Sequence, residues 1–106
     1  MIEIQHWRAE WGELSEHSLR SRLEAEGYTV SRYIYPAGTY FPDHSHEIDK
    51  KDAVLSGAFM LRVEGQEFLL GPGDALFIPA GTIHNAEVIG EKTVISLDAT
   101  RLRAPR

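Results

Sequence analysis

Apolar positions recur with a helical period in the first quarter of the chain. Leu19 and Leu23 lie four residues apart among charged neighbours, which is typical of an amphipathic helix. Ser15 is suited to cap this helix at its N-terminus, and Gly27 is suited to follow its last turn near Glu26. The pattern therefore predicts a short helix that packs a narrow apolar stripe on a larger body.

From Tyr28 onward the apolar positions alternate with polar ones, a period of two that is typical of strands. Clusters of glycine and proline interrupt the alternation about every 8–12 residues. The predicted strands fall at residues 2–5, 28–35, 39–47, 52–63, 74–78, 88–89 and 93–97. Seven to nine short strands of this kind predict an all-β sandwich or barrel with one short N-terminal helix.

One hairpin can be assigned a register from its residues. A two-residue loop at 64–65 places Arg62 opposite Glu67 and Leu61 opposite Phe68. An ion pair and an apolar pair then lie directly across from one another, which stabilises that pairing. We therefore expect a tight hairpin with this register.

Composition limits the classes of function that the chain can serve. Its 106 residues suit one domain, with 42% apolar and 25% charged residues as in ordinary soluble proteins. The net charge is -5 without a basic face, which argues against nucleic acid as a partner. The absence of cysteine excludes disulfides and thiolate ligands, so a transition metal must be bound by imidazole or carboxylate.

We expect residues 1–27 to form a strand and a helix that pack on an all-β body of residues 28–100, followed by a basic tail at 101–106. The tail residues expected to be solvated are Arg101, Arg103 and Arg106. No stretch has the apolar length of a signal peptide or a membrane span. The sequence therefore predicts a cytoplasmic protein that has no membrane partner.

Three histidines are the candidate metal ligands. On an extended segment His44 and His46 point to the same side, with Cβ atoms roughly 6.5 Å apart. Two imidazoles at that spacing can converge on one ion, and His84 from a neighbouring strand would complete the site. The histidines at positions 6 and 17 are expected to be structural.

The spacing around these histidines resembles the two motifs of the cupin superfamily. The first motif is matched by Gly38, His44-Ser45-His46, Lys50 and Gly57, with lysine where the family has glutamate. The second motif is matched by Gly73, Pro79-Ala80-Gly81 and His84, with Val88 where the family often has asparagine. The resemblance implies a small single-domain cupin of the conserved-barrel type, with a jelly-roll or double-stranded β-helix fold.

In metal-binding cupins three histidines and the motif glutamate hold a divalent ion. Here Lys50 stands in the place of that glutamate, and an ammonium cannot ligate. Three alternatives follow: Lys50 turns away, it loses its proton, or the site holds no metal. A neighbouring carboxylate at position 47, 49 or 52 can compensate, and by strand parity Asp52 shares a face with His46. Lys50 itself is expected to pair with Asp52, to reach solvent, or to anchor an anionic ligand.

The resemblance also implies a ligand set and a pocket. His44, His46 and His84 are the expected ligands of Zn, Ni, Fe or Mn, and a set of three histidines is similar in number to the iron site of thiol dioxygenases. Tyr40, Lys50 and Met60 are the candidate substrate-binding residues, and Lys50 is also a candidate catalytic group. By strand parity Tyr40 is expected on the same face as His44 and His46. Asp98 is interpreted as an ordinary strand-end charge.

Two functions remain open at this point. The first is a metal-dependent enzyme, such as a dioxygenase or isomerase, or a binding protein for a small anionic or hydroxylated molecule. The second is a metal-free, non-catalytic sensor in which Lys50 anchors an anion. The resemblance further implies a homodimer, with its contact expected at Ile2–Gln5, Trp7 and Trp11.

Overall fold

Two antiparallel β-sheets face each other across an apolar core in the computed structural model, which describes residues 1–102. Residues 1–102 form nine strands: β1 (Ile4–Gln5), β2 (Thr29–Tyr35), β3 (Tyr40–His44), β4 (Asp49–Ser56), β5 (Phe59–Val63), β6 (Gln66–Leu70), β7 (Ala75–Ile78), β8 (His84–Val88) and β9 (Val94–Arg101). One sheet has the order β1-β7-β4-β9-β2 and the other β3-β8-β5-β6. The predicted all-β jelly roll with a short N-terminal helix is confirmed.

The N-terminal helix α1 spans Glu16–Ala25, close to the predicted bounds. Ser15 caps it, because its hydroxyl accepts from the Ser18 backbone N–H at 3.0 Å while the Ser18 hydroxyl accepts from the Ser15 N–H at 2.8 Å. Leu19 and Leu23 are buried, as their spacing predicted. They pack on the outer face of the five-stranded sheet and form a second core there.

The segment before the helix also packs on this face. The rings of Trp7 and Trp11 pack edge to face with their centres 5.2 Å apart. The indole N–H of Trp7 donates to the Gly12 carbonyl at 2.9 Å. The guanidinium of Arg22 lies 3.3 Å from the centre of the Trp11 ring. Both tryptophans are thus engaged within the chain, and the homodimer contact expected at these residues stays a prediction.

The main core lies between the two sheets. Its buried apolar residues are Val54, Phe59, Leu61, Val63, Leu70, Leu76, Ile78, Ala86, Val88 and Val94. The hairpin between β5 and β6 has the predicted register, with Arg62 opposite Glu67 and Leu61 opposite Phe68. Arg62 and Glu67 form the expected ion pair at 2.9 Å.

Arg101 is exposed, as the C-terminal prediction expected, but it belongs to a strand rather than to a tail. This residue ends β9, donates to the Glu26 carbonyl at 2.6 Å and lies 4.3 Å from the centre of the Tyr28 ring. Arg103 and Arg106, the other two arginines of the expected tail, lie outside the described residues. Among residues 1–102 no helix is long and apolar enough to cross a membrane.

Gly57 between β4 and β5 is a position where we expect any side chain to be costly. It has φ +89°, and a Cβ there would lie 2.7 Å from the Thr93 carbonyl oxygen. Gly90 has a similar φ of +80° but open space around it, so it is a matched control. Gly90→Ala is expected to lose about 1–2 kcal/mol from the left-handed backbone alone, and Gly57→Ala clearly more. Urea unfolding measures both, and equal losses would contradict the close approach at Gly57.

Candidate metal centre

A bulge in β3 decides which of its side chains reach the barrel interior. Phe41 pairs with Ala86 and His44 with His84, so three steps along β3 match two along β8. The extra residue puts Phe41 and His44 together on the inner side. Tyr40 is 56% exposed on the outside. The prediction that Tyr40 shares the histidines' face is therefore wrong, and Phe41 takes that place.

Met60 is also not brought to the histidines. In β5 the buried residues are Phe59, Leu61 and Val63, so Met60 points to the opposite face of the sheet. It lies there across from Leu69. Phe59 is the residue of β5 that faces the interior near His44.

The three predicted histidines do come together inside the barrel. His44 ends β3, His46 lies two residues beyond it, and His84 begins β8. The ring centres are 4.9 Å apart for His44 and His46, 4.2 Å for His44 and His84, and 5.3 Å for His46 and His84. One nitrogen from each ring lies within 4.8 Å of the other two. Two segments that are far apart in the chain thus present a common set of donor atoms.

Backbone hydrogen bonds fix two of the rings. Nδ1 of His44 lies 2.7 Å from the Pro42 carbonyl, and Nδ1 of His84 lies 2.9 Å from the Thr82 carbonyl. Because a carbonyl only accepts, each Nδ1 carries the proton and each Nε2 keeps its lone pair. Within residues 1–102, no hydrogen-bond partner reaches the buried Nε2 atoms of His46 and His84.

The surroundings favour the neutral, ligating form of these histidines. Burial, followed by the positive charge of Lys50, lowers the pKa of His46 to about 4. Burial also lowers the pKa of His84, against the opposing effect of its bond to the Thr82 carbonyl. At neutral pH both side chains are therefore uncharged and can bind a cation without first losing a proton.

Lys50 faces the interior of the barrel, where its ammonium forms ion pairs with two carboxylates. Its ammonium lies 3.1 Å from Oδ1 of Asp52 and 3.2 Å from Oδ2 of Asp98. Burial by itself lowers the pKa of Lys50, but the two carboxylates outweigh that effect and raise the pKa above its usual value. Of the three alternatives for Lys50, loss of its proton is thereby disfavoured. The predicted pairing with Asp52 is confirmed.

Asp98 is the residue of the site that the sequence analysis missed. It is 9% exposed, and its carboxylate accepts from the Ser96 hydroxyl at 2.6 Å and the Tyr35 hydroxyl at 3.1 Å. The interpretation of Asp98 as an ordinary strand-end charge is wrong, because β9 continues to Arg101 and places Asp98 opposite Asp52. Asp98 lies two residues from Ser96 and four from Val94, and this spacing in the sequence could have placed it on the same face of the strand as those two residues.

These groups form one electrostatic unit, which we call the Lys50–Asp52–Asp98 cluster. Burial, and then the neighbouring Asp98 carboxylate, raise the pKa of Asp52 to about 6, so Asp52 is mostly ionised at pH 7. One positive and two negative charges give the cluster a net charge of -1. Burial and Asp98 also raise the pKa of Tyr35, which stays protonated as a hydrogen-bond donor.

A small cavity lies between His44 and the Lys50–Asp52–Asp98 cluster. Its volume is about 40 Å³, room for about two or three water molecules. The residues that line it are Tyr35, Phe41, His44, Lys50, Asp52, Phe59, Ala86 and Asp98. The cavity has an apolar wall of aromatic rings and a charged floor.

The residues present fit a divalent metal ion. Three converging imidazoles are the donor set of several zinc and iron sites. Neighbouring carbonyls hold the rings of His44 and His84, as the outer hydrogen-bond partners of ligands do in known metal sites. The ammonium of Lys50 is held by carboxylates of its own.

Known proteins share this architecture. A protein of Thermus thermophilus, TT1209, superposes with a TM-score of 0.62 at 34% identity over 69% of this chain and 70% of its own. KdgF from a Halomonas species superposes with the same TM-score at 27% identity, over 72% of this chain and 71% of its own.

A curated relative matches a shorter part of the sequence. The quercetin 2,3-dioxygenase of Bacillus subtilis is 39% identical over 51 residues, which is 47% of this chain but only 15% of that enzyme. The sequence profile of the cupin domain matches a much larger part, residues 31–100. This stretch includes all three histidines and all three residues of the Lys50–Asp52–Asp98 cluster, and the chain is therefore a member of the cupin family.

Proposed function

We propose that this protein binds one divalent metal ion through His44, His46 and His84 and uses it to bind or transform a small hydroxylated or anionic molecule. The observation that carries the proposal is the convergence of three imidazole nitrogens within 4.8 Å. Two of the rings are already held with Nε2 free. A bound ion supplies Lewis acidity and open coordination positions for a ligand.

The Lys50–Asp52–Asp98 cluster supports binding of a cation despite the lysine. A lone ammonium near a divalent ion would repel it by several kcal/mol even at a high effective dielectric constant. Here two carboxylates at 3.1 and 3.2 Å offset that charge and leave -1 in the cluster. That sum equals the charge of the glutamate that the family has at position 50, although no carboxylate of this cluster has to ligate.

The cavity indicates a small ligand. Pockets for drug-sized molecules usually measure about 300–1,000 Å³, whereas this interior space is about 40 Å³. Phe41 and Phe59 close one side of it. Lys50 has three N–H donors and two carboxylate partners, so one donor remains for an oxygen atom of a ligand. We therefore favour a ligand, or a reactive end of one, of only a few non-hydrogen atoms.

The metal-free alternative is less well supported. In that function Lys50 would anchor an anion, but its charge is already neutralised by Asp52 and Asp98. An anion that enters the metal-free cavity meets a net charge of -1. The convergence of the three imidazoles would also have no role.

Titration of the chelator-treated protein with Zn²⁺ tests the proposal. Calorimetry should give one ion per chain, and Co²⁺ in its place should give visible absorption bands that acetate or glycerol, as small probes, shift. The exposed His6 and His17 lie outside the site, so His6→Ala and His17→Ala are matched controls that should bind like wild type. No saturable binding by the wild type would overturn the proposal.

The homodimer and the cytoplasmic location that the sequence analysis expects remain part of this proposal. The mass of the protein in solution, measured by light scattering, tests the first. A monomeric mass of 11.9 kDa would contradict it.

A further inference from the structure

Asp49 lies between the two segments that carry the histidines. The turn at Pro79–Thr82, closed by a hydrogen bond from the Thr82 N–H to the Pro79 carbonyl at 3.2 Å, leads directly to His84. Asp49 begins β4 and is only 8% exposed. Its Oδ1 accepts from the backbone N–H of Ala80, inside that turn, at 2.8 Å.

A second hydrogen bond runs beside it. The N–H of Gly81 donates to the backbone carbonyl of His46 at 2.8 Å. The segment 46–49 and the turn at 80–81 are thus joined at two adjacent points, although they are distant in the chain. The turn also holds His84, because the Thr82 carbonyl accepts from its Nδ1 at 2.9 Å.

We infer that Asp49 is a positioning residue of the metal centre, which fixes the turn that carries His84 against the segment that carries His46. This inference rests on the proposed function. Asp49 reaches the centre through Ala80, the turn and Thr82, and is not counted among the ligands. Metal sites need their ligands held within about 0.5 Å of the binding geometry, and loss of an outer hydrogen-bond partner typically lowers metal affinity about 10–100-fold.

The other charged residues of β4 do not reach the turn before His84. Lys50 and Asp52 share the inner face of β4, whereas Asp49 and Lys51 point to the opposite face of the sheet. Lys51 pairs with Glu26 at 2.8 Å, in contact with the helix end rather than the histidines. Asp49 is thus the charged residue of β4 whose hydrogen bond reaches the turn before His84.

Zn²⁺ affinity of three variants tests the inference. Asp49→Ala removes the acceptor and should bind zinc about 10–100-fold more weakly than wild type, still with one ion per chain. Asp49→Asn keeps Oδ1 as an acceptor and removes only the charge, so it should stay close to wild type. Asp74→Ala is the matched control: Asp74 accepts from the Gly71 N–H at 2.9 Å in another proline turn, and it contacts His6 rather than any of the three site histidines.

A readout without metal completes the test. In Asp49→Ala the amide hydrogen of Ala80 should exchange faster with solvent than in wild type, while circular dichroism remains that of the folded protein. Wild-type zinc affinity in Asp49→Ala would overturn the positioning role and leave the metal centre intact. An equal loss in Asp49→Asn and Asp49→Ala would also overturn it, because the negative charge rather than the hydrogen bond would then be responsible. Failure of the wild type to bind zinc would instead refute the proposed function.

Discussion

Lys50→Met is expected to destabilise the protein by about 3–5 kcal/mol, the usual result of removing one partner from a buried ion pair. The methionine fills similar space but leaves Asp52 and Asp98 facing each other across the sheet without a cation. Both carboxylates are largely buried, so they are poorly solvated once the ammonium is lost. Urea unfolding at pH 7 measures the loss. The exposed Lys92→Met serves as control and should change stability by less than about 0.5 kcal/mol.

The destabilisation should depend on pH in a defined direction. The pKa of Asp52 is already raised to about 6 with Lys50 in place, and it rises further once the ammonium is gone. A group with a raised folded-state pKa stabilises the fold at low pH and loses that contribution as pH rises through the folded pKa. Lys50→Met should therefore lose less stability at a pH below about 6 than at a pH well above it.

A double variant separates this account from general disruption of the core. Lys50→Met/Asp52→Asn removes one cation and one anion, so the cluster keeps its net charge of -1. The new amide can donate to Asp98, which also keeps its bonds from Tyr35 and Ser96. We expect the double variant to recover much of the stability that Lys50→Met loses. A double variant that is less stable than Lys50→Met under alkaline conditions would contradict the pairing.

Loss of His84 is expected to have the largest effect on metal binding. His84 is 2% exposed and is the proposed ligand from the second half of the chain. His84→Ala leaves two imidazoles, a set too small for a closed zinc site. Zinc affinity should fall by more than about 100-fold, the upper range for loss of an outer hydrogen-bond partner.

In the same variant, His84→Ala, added zinc should no longer raise the free energy of unfolding. In wild type, zinc at about 100 times its dissociation constant should add about 2.7 kcal/mol to the free energy of unfolding. In His84→Ala the unfolding curve should not move when zinc is added. The control His6→Ala keeps all three ligands and should respond like wild type. A zinc-dependent shift in His84→Ala equal to that of wild type would place the metal elsewhere.

Local patterns in the sequence predicted much of the fold. The cap at Ser15, the stripe of Leu19 and Leu23, and the hairpin loop at 64–65 each depend on residues close in the chain. These features follow from local chemistry. Strand alternation put His44 and His46 on one side, whereas the meeting with the distant His84 was implied by the resemblance to the cupin motifs.

The bulge in β3 could not be derived from alternation alone. A single extra residue reverses the faces of everything before it, so Tyr40 lies outside and Phe41 inside. Pro42, within this stretch, was a usable warning, since proline inside a strand is found at edges and bulges. For Met60 the signal was already present: the predicted hairpin register put Leu61 among the inward residues, and Met60 therefore outward.

The Lys50–Asp52–Asp98 cluster needed the tertiary pairing of strands. Asp98 and Asp52 are distant in the chain, and only the register of β4 with β9 places them opposite each other. From the sequence alone, the positive charge of Lys50 argued against binding of a metal ion at this position. With that register, the lysine is one of three charges that sum to -1.

Crystallography of the zinc-soaked protein tests the central claim most directly, namely that three imidazoles from the two halves of the chain hold one ion inside the barrel. An anomalous difference map at the zinc edge should show one strong peak about 2.0–2.1 Å from Nε2 of His44, His46 and His84. No peak among these three nitrogens, or zinc bound at His6 and Asp74 on the surface instead, would contradict the account.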